Sequence, residues 1–164
     1  MPAYRGEDSL EIAVGDLNED SLPDIFVMNE DRQDWLLQNH GFAENKAMTD
    51  ANRVAVGAFA NNTQLGIPEQ VADAYASAVG DIDGDADLDI VLCYVDATIR
   101  PGVWVNDGAG NFFELSTERM PAGVNCGCNP GDIDLVAIDK DADLDVMMAC
   151  SAGGMRQLAN DGTG

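Results

Sequence analysis

Basic residues are scarce in this chain: 8 Lys and Arg stand against 30 Asp and Glu, giving a formal net charge of -22 over 164 residues. Only Lys46 and Lys140 are lysines. A surface of this sign shares the charge of nucleic-acid phosphates and of anionic lipid headgroups, so neither partner is expected. Histidine is limited to His40, in the turn QNHGF. A lone imidazole with no Ser or Cys partner gives no nucleophile–base pair, so a non-catalytic chain is expected. No apolar run is long enough to span a bilayer, so membrane insertion is not expected. The N-terminal MPAYRGEDS has neither a basic start nor an apolar stretch, so no signal peptide is expected in it. Either the protein stays inside the cell, or this is an internal piece of an exported chain whose signal lies elsewhere.

Cysteine is limited to Cys93, Cys126, Cys128 and Cys150. Disulfides in an oxidising compartment are one reading, with the pairing open. Cys93 and Cys150 in strand-like runs also suit small buried apolar residues. Zinc fits less well, because His40 is far away and four thiolates would have to converge.

The acids, by contrast, are concentrated. Twelve Asp fall in three loops that each run into an apolar strand: GDLNEDSLPDIFV from Gly15, GDIDGDADLDIVL from Gly80 and VAIDKDADLDVMM from Val136. Oxygen side chains at positions 1, 3, 5 and 9 of a tight turn can converge on one hard cation, and calcium accepts such ligands in flexible geometry. General surface acidity suits the scarcity of Lys but leaves this spacing unexplained. Solvated turns without metal are the plain alternative.

A second anchor follows each loop in LLQNHGF, WVNDGAGNF and LANDGTG, each with Asn two residues before Gly. Asn39, Asn106 and Asn160 lie 15, 17 and 15 residues after Asp24, Asp89 and Asp145. The repeat predicts three units, at about residues 10–65, 74–130 and 133–164, the last truncated. In each, one apolar run enters the loop (Leu10 to Val14, Ala74 to Val79, Ile133 to Ala137). A second leaves it (IFVMN, IVLCYV, VMMAC), and a third strand precedes the Asn–Gly turn. The fourth is FFELST in the second unit, with a weaker counterpart near Phe42 in the first. Each unit reads as a four-stranded antiparallel meander. PEQVADAYASAVG is helical by propensity, but the repeat register makes its second half a strand. Ala51 to Pro68 reads as a long loop between units.

These residues resemble the FG-GAP or VCBS repeat, the calcium-loop β-propeller repeat of integrin α-subunit heads and of many bacterial secreted and surface proteins. The likeness runs from about Leu10 to Gly164 and is carried by GDLNEDSLPDI, GDIDGDADLDI and NDGAGNF. It implies all-β architecture, one propeller-type blade per repeat, and one calcium ion in the loop joining the first two strands. The implied ligands are Asp16, Asn18, Asp20 and Asp24 in the first loop and Asp81, Asp83, Asp85 and Asp89 in the second. A backbone carbonyl at the seventh position, Leu22 or Asp87, completes each shell. The third loop has Ala137 at the first position, which leaves Asp139, Asp141 and Asp145 and weakens that site. Ser21 and Ala86 stand where the family often has Gly, a mild strain on the turn. An EF-hand is excluded, because position 12 is Val27 or Leu92 inside a strand-like run. Tandem nonapeptide calcium repeats are absent.

Closed propellers have four to eight blades, so about 2.5–3 blades do not close a ring. A piece of a longer chain, or self-association through exposed blade faces, is expected. The expected function is an extracellular or cell-surface, adhesion-like module that binds protein or carbohydrate. The alternatives are part of a lyase-like polysaccharide-acting propeller and a purely structural repeat of a large surface protein. Trp35, Trp104 and Tyr94 suit either a sugar platform or a core, and the apolar neighbours of both Trp favour the core.

Overall fold

The computed structural model describes residues 9–29, 33–41, 59–69, 72–96, 98–126, 130–150 and 154–162. The apolar runs on either side of each acidic loop are extended and pair with each other. The first unit comprises β1 (Ser9–Gly15), β2 (Asp24–Asn29), β3 (Trp35–Asn39) and β4 (Phe59–Asn61), then a single helical turn α1 (Thr63–Gly66). The second comprises β5 (Ala74–Gly80), β6 (Asp89–Tyr94), β7 (Gly102–Asn106) and β8 (Phe112–Glu114), then α2 (Ser116–Arg119). The third comprises β9 (Pro130–Val136), β10 (Asp145–Cys150) and β11 (Met155–Leu158). Strands consecutive in each unit are hydrogen-bonded neighbours, and every pair is antiparallel. The chain is all-β, with two four-stranded meanders and a three-stranded one, none closed into a barrel. Such sheets have the form of partial blades.

The Ala-rich segment is strand β5, as the register predicts. Its small residues are needed because β5 lies between β1 and β9. Ala74, Ala76 and Ala78 are buried there, and the Glu11 carboxylate of β1 accepts hydrogen bonds from Ser77 N (2.7 Å) and Ser77 Oγ (3.1 Å). Packing overrides helix propensity here. The fourth strand of the first unit differs from expectation. It is Phe59–Asn61, inside the stretch predicted as a loop, while Phe42 lies outside the described residues. Three residues carry too little pattern to announce a strand.

Two apolar cores separate the three sheets. Between the first two units, Leu17, Phe26, Met28 and Leu36 meet Ile90, Leu92, Trp104 and Phe112. Trp104 is 1% exposed and stands edge-on to Phe26 with ring centroids 6.0 Å apart. Tyr94 is buried as well, so these two aromatic residues serve packing. Between the second and third units, Val91, Cys93 and Val103 meet Ile133, Val146 and Met148. Cys93 is disulfide-bonded to Cys126, across 33 residues of chain. Closing a loop of that length contributes roughly 3–4 kcal/mol. Cys128 lies outside the described residues.

Glycine is required just before the loops for a packing reason. A Cβ on Gly15 would stand 2.7 Å from Leu88 Cδ1 of the second unit, and one on Gly80 would stand 2.8 Å from Leu144 Cδ1 of the third. Val136 occupies the corresponding place in the third unit and is exposed. The outward faces of the two end units also differ. Ile12 and Val14 of β1 are 65% and 60% exposed, while β9 and β11 expose polar Asp132, Asp134 and Gln157 together with apolar Val136 and Met155.

Candidate metal centre

The spacing of the two sequence anchors has a direct structural cause. Asp24, Asp89 and Asp145, the ninth loop residues, are fully buried. Each carboxylate binds two backbone N–H groups. One oxygen accepts from the residue after the first loop position: Leu17 N (3.1 Å), Ile82 N (2.9 Å) and Ile138 N (2.9 Å). The other accepts from the anchor Asn: Asn39 N (2.6 Å), Asn106 N (2.9 Å) and Asn160 N (2.8 Å). The Asp therefore closes the loop and clips the third strand to it.

The Asn side chain continues the network. Its Oδ1 accepts from Gly41 N, Gly110 N or Gly162 N, which sets the following turn. Its Nδ2 donates to the carbonyl before the buried Asp: Pro23, Leu88 or Leu144. Asn106 Nδ2 also donates to Leu17 O of the first unit at 2.9 Å, and Asn160 Nδ2 to Ile82 O of the second at 2.6 Å. The second and third units are thus each tied to the acidic loop of the unit before. The sequence marks these Asn as repeat anchors and turn formers, but not as the tie to the neighbouring loop, which rests on contacts between units.

The first two loops share one backbone path. Residues four and six are left-handed in both: Glu19 (φ 56°) and Ser21 (φ 67°), then Gly84 (φ 80°) and Ala86 (φ 80°). A left-handed non-glycine residue costs about 1–3 kcal/mol, and three such residues sit in these two turns. The first-position carboxylate organises each turn. Asp16 accepts from Asp20 N (3.0 Å) and Ser21 N (2.8 Å). Asp81 accepts from Gly84 N (2.7 Å), Asp85 N (3.1 Å) and Ala86 N (3.0 Å). The fifth-position Asp fixes the seventh amide, with Asp20 Oδ1 accepting from Leu22 N and Asp85 Oδ1 from Asp87 N. Asn18 is turned to Asp20, donating from Nδ2 to its carboxylate (3.2 Å) and accepting from its backbone N (3.2 Å).

The third loop departs from this path. Ala137 offers no carboxylate, and no residue of that loop is left-handed. Asp139 accepts from Asp141 N and Asp141 from Asp143 N, a looser run of turns.

Ligand atoms converge in the second loop. Oxygens of Asp81, Asp83 and Asp89 all lie within 4.8 Å of one another, the one such acidic group among the described residues. Asp85 and Asp87 stand outside that group, as do the acids of the first and third loops. Asp83 Oδ1 is buried without a hydrogen-bond partner. Asp83 Oδ2 faces the Arg119 guanidinium of α2 at 3.7 Å. Among the described residues the cluster therefore has one cationic neighbour, and Asp83 Oδ1 stays unsatisfied. The donor set is all hard oxygen, which suits calcium or magnesium over softer ions.

The electrostatics agree with a site short of positive charge. Burial pushes Asp89 up to about 6, assisted by Asp83 and Asp85 and opposed by the Asn106 and Ile82 N–H groups. Asp83 is raised by burial and by Asp85, and Arg119 acts the other way. Asp24 is raised by burial despite hydrogen bonds from Asn39 and Leu17. Asp87 is raised by desolvation and by Glu19 of the first loop. Asp145 is held below the usual range by hydrogen bonds from Asn160 and Ile138. An added cation would reverse the repulsive contributions.

No protein-family model matches the chain, and no curated protein matches it.

Proposed function

We propose that this chain is a calcium-stabilised binding module of the FG-GAP or VCBS repeat type. The observation that supports the reading most strongly is the Asp81, Asp83 and Asp89 cluster with its unpartnered buried Asp83 oxygen. The second loop holds the ion most tightly on this reading. The first loop shares its backbone path and takes a second ion through Asp16, Asn18, Asp20 and Asp24. The third loop, lacking the first carboxylate and the left-handed turns, binds weakly or not at all.

Calcium here has a structural role: it neutralises the loop and locks the hairpin to which the neighbouring unit is tied through Asn106 and Asn160. The module acts outside the cell, where millimolar calcium keeps such loops filled and where the Cys93–Cys126 disulfide persists. Its ligand is a protein or carbohydrate met at the blade ends.

Thermal melting in millimolar calcium and in excess chelator tests the reading. One ion at 100 times its Kd contributes about 2.7 kcal/mol, or about 5–10 °C in Tm for a domain of this size. Equal melting temperatures in the two buffers would remove the calcium role.

A further inference from the structure

The Asp83 carboxylate meets a cation that belongs to the chain itself. Arg119 is the last residue of α2, and its guanidinium lies 3.7 Å from Asp83 Oδ2. The backbone behind this contact is anchored. Ser116, at the other end of α2, is buried, and its Oγ accepts from Val103 N at 2.8 Å. Met120, the residue after α2, is buried in the core between the second and third units. Arg119 N donates to Leu115 O (2.9 Å) and Met120 N to Ser116 O (3.0 Å). The chain on either side of Arg119 is therefore fixed, and the guanidinium is delivered to one place.

The first unit has no counterpart. Thr63 Oγ1 accepts from Leu36 N just as Ser116 Oγ accepts from Val103 N, which aligns α1 with α2 and places Gly66 where the second unit has Arg119. A Cβ on Gly66 would stand 2.7 Å from both Gly110 O and Leu36 Cδ2, so a side chain there would force the backbone of the second unit aside. Among the described residues, the cationic neighbour is particular to the second loop, where Asp81, Asp83 and Asp89 converge. It neutralises that loop only in part. The guanidinium faces Oδ2 of Asp83, and Oδ1 stays buried with no partner among the described residues.

We propose that Arg119 is the resident counter-cation of the second loop: it steadies the loop when no ion is bound, competes with calcium for Asp83, and so sets the affinity of the site. The inference rests on the calcium reading above. Arg119 then has two effects of opposite sign. It stabilises the metal-free loop by offsetting repulsion among the carboxylates, and it opposes an arriving divalent ion by its charge and by its hold on Asp83. Such detuning moves the site toward the weak end of the calcium range, where extracellular modules work.

Calcium titration calorimetry on the full chain, as wild type, Arg119→Gln and Arg119→Lys, tests this together with melting in excess chelator. Glutamine keeps part of the apolar stem and removes the charge. Arg119→Gln should bind calcium at its tightest site about three- to tenfold more strongly, the scale of one partly exposed charge acting on a divalent ion. In chelator the same variant should melt below the wild type. Arg119→Lys, which keeps a point charge, should restore most of both wild-type values. Added KCl should shrink the difference in affinity between Arg119→Gln and wild type. A lower melting temperature in chelator with unchanged or weaker calcium binding would mark Arg119 as a structural residue only and overturn the proposal. Equal affinity in all three proteins would overturn it and leave the calcium reading intact. No calcium binding by any of the three would overturn both.

Discussion

Replacing Asp34 by Asn should stabilise the protein at alkaline pH and leave it nearly unchanged in acid. Asp34 is fully buried at the start of the turn into β3. Its Oδ1 accepts from Asn29 N at 2.9 Å, and its Oδ2 has no hydrogen-bond partner among the described residues. Burial pushes its carboxyl from 3.8 up to about 7, with only the Asn29 hydrogen bond opposing. The folded state therefore holds a proton that the unfolded state releases near pH 4. Stability from this group is full below that pH, declines as pH rises toward 7, and is lost above it. Three pKa units correspond to about 4 kcal/mol. An Asn keeps the acceptor for Asn29 N and never ionises. Asp34→Asn should thus gain up to about 4 kcal/mol at pH 8, equivalent to about 8–16 °C in Tm. At pH 4 the two proteins should differ by less than about 1 kcal/mol. Urea unfolding followed by tryptophan fluorescence between pH 4 and 8 measures both ends. A gain that is the same at every pH, or a loss at pH 8, would refute the reasoning.

Three further outcomes follow from the loops. Asn106→Ala removes the bonds to Leu17 O, Leu88 O and Gly110 N, and should cost roughly 2–4 kcal/mol in chemical denaturation. A loss below about 0.5 kcal/mol would show that the tie between units is unimportant. Ala86→Gly relieves a left-handed alanine (φ 80°) and should gain about 1 kcal/mol in chelator, read as a higher Tm. Calcium affinity should fall between pH 7 and pH 5, because Asp89, raised to about 6, must lose its proton to bind the ion. Affinity independent of pH over that range would exclude Asp89 from the site.

The fold was legible wherever one hydrogen-bond network recurs. The Asp-to-Asn spacing reads directly as the clip between loop and third strand, so it located the strands even in Ala74–Gly80, where propensity pointed to a helix. The glycine before each of the first two loops was legible as a motif but not as a cause, since Leu88 and Leu144 come from the next unit. Phe59–Asn61 was missed because a three-residue strand has no period to detect. The role of the ninth-position Asp was read only in part. Its acidity suggested a ligand, while burial shows that both oxygens already accept backbone N–H groups, a role that spacing alone cannot separate from coordination. Arg119 beside Asp83 and the Cys93–Cys126 pairing depend on contacts between distant segments, so no local pattern announced them.

Calcium titration calorimetry on the wild-type chain and on Asp83→Asn, at pH 7.5, bears most directly on the central claim. The account predicts saturable binding with the tightest site lost or weakened at least tenfold in Asp83→Asn, while the variant's melting in chelator stays the same or rises. No calcium binding by the wild-type chain, or the same tight site in both proteins, would contradict it.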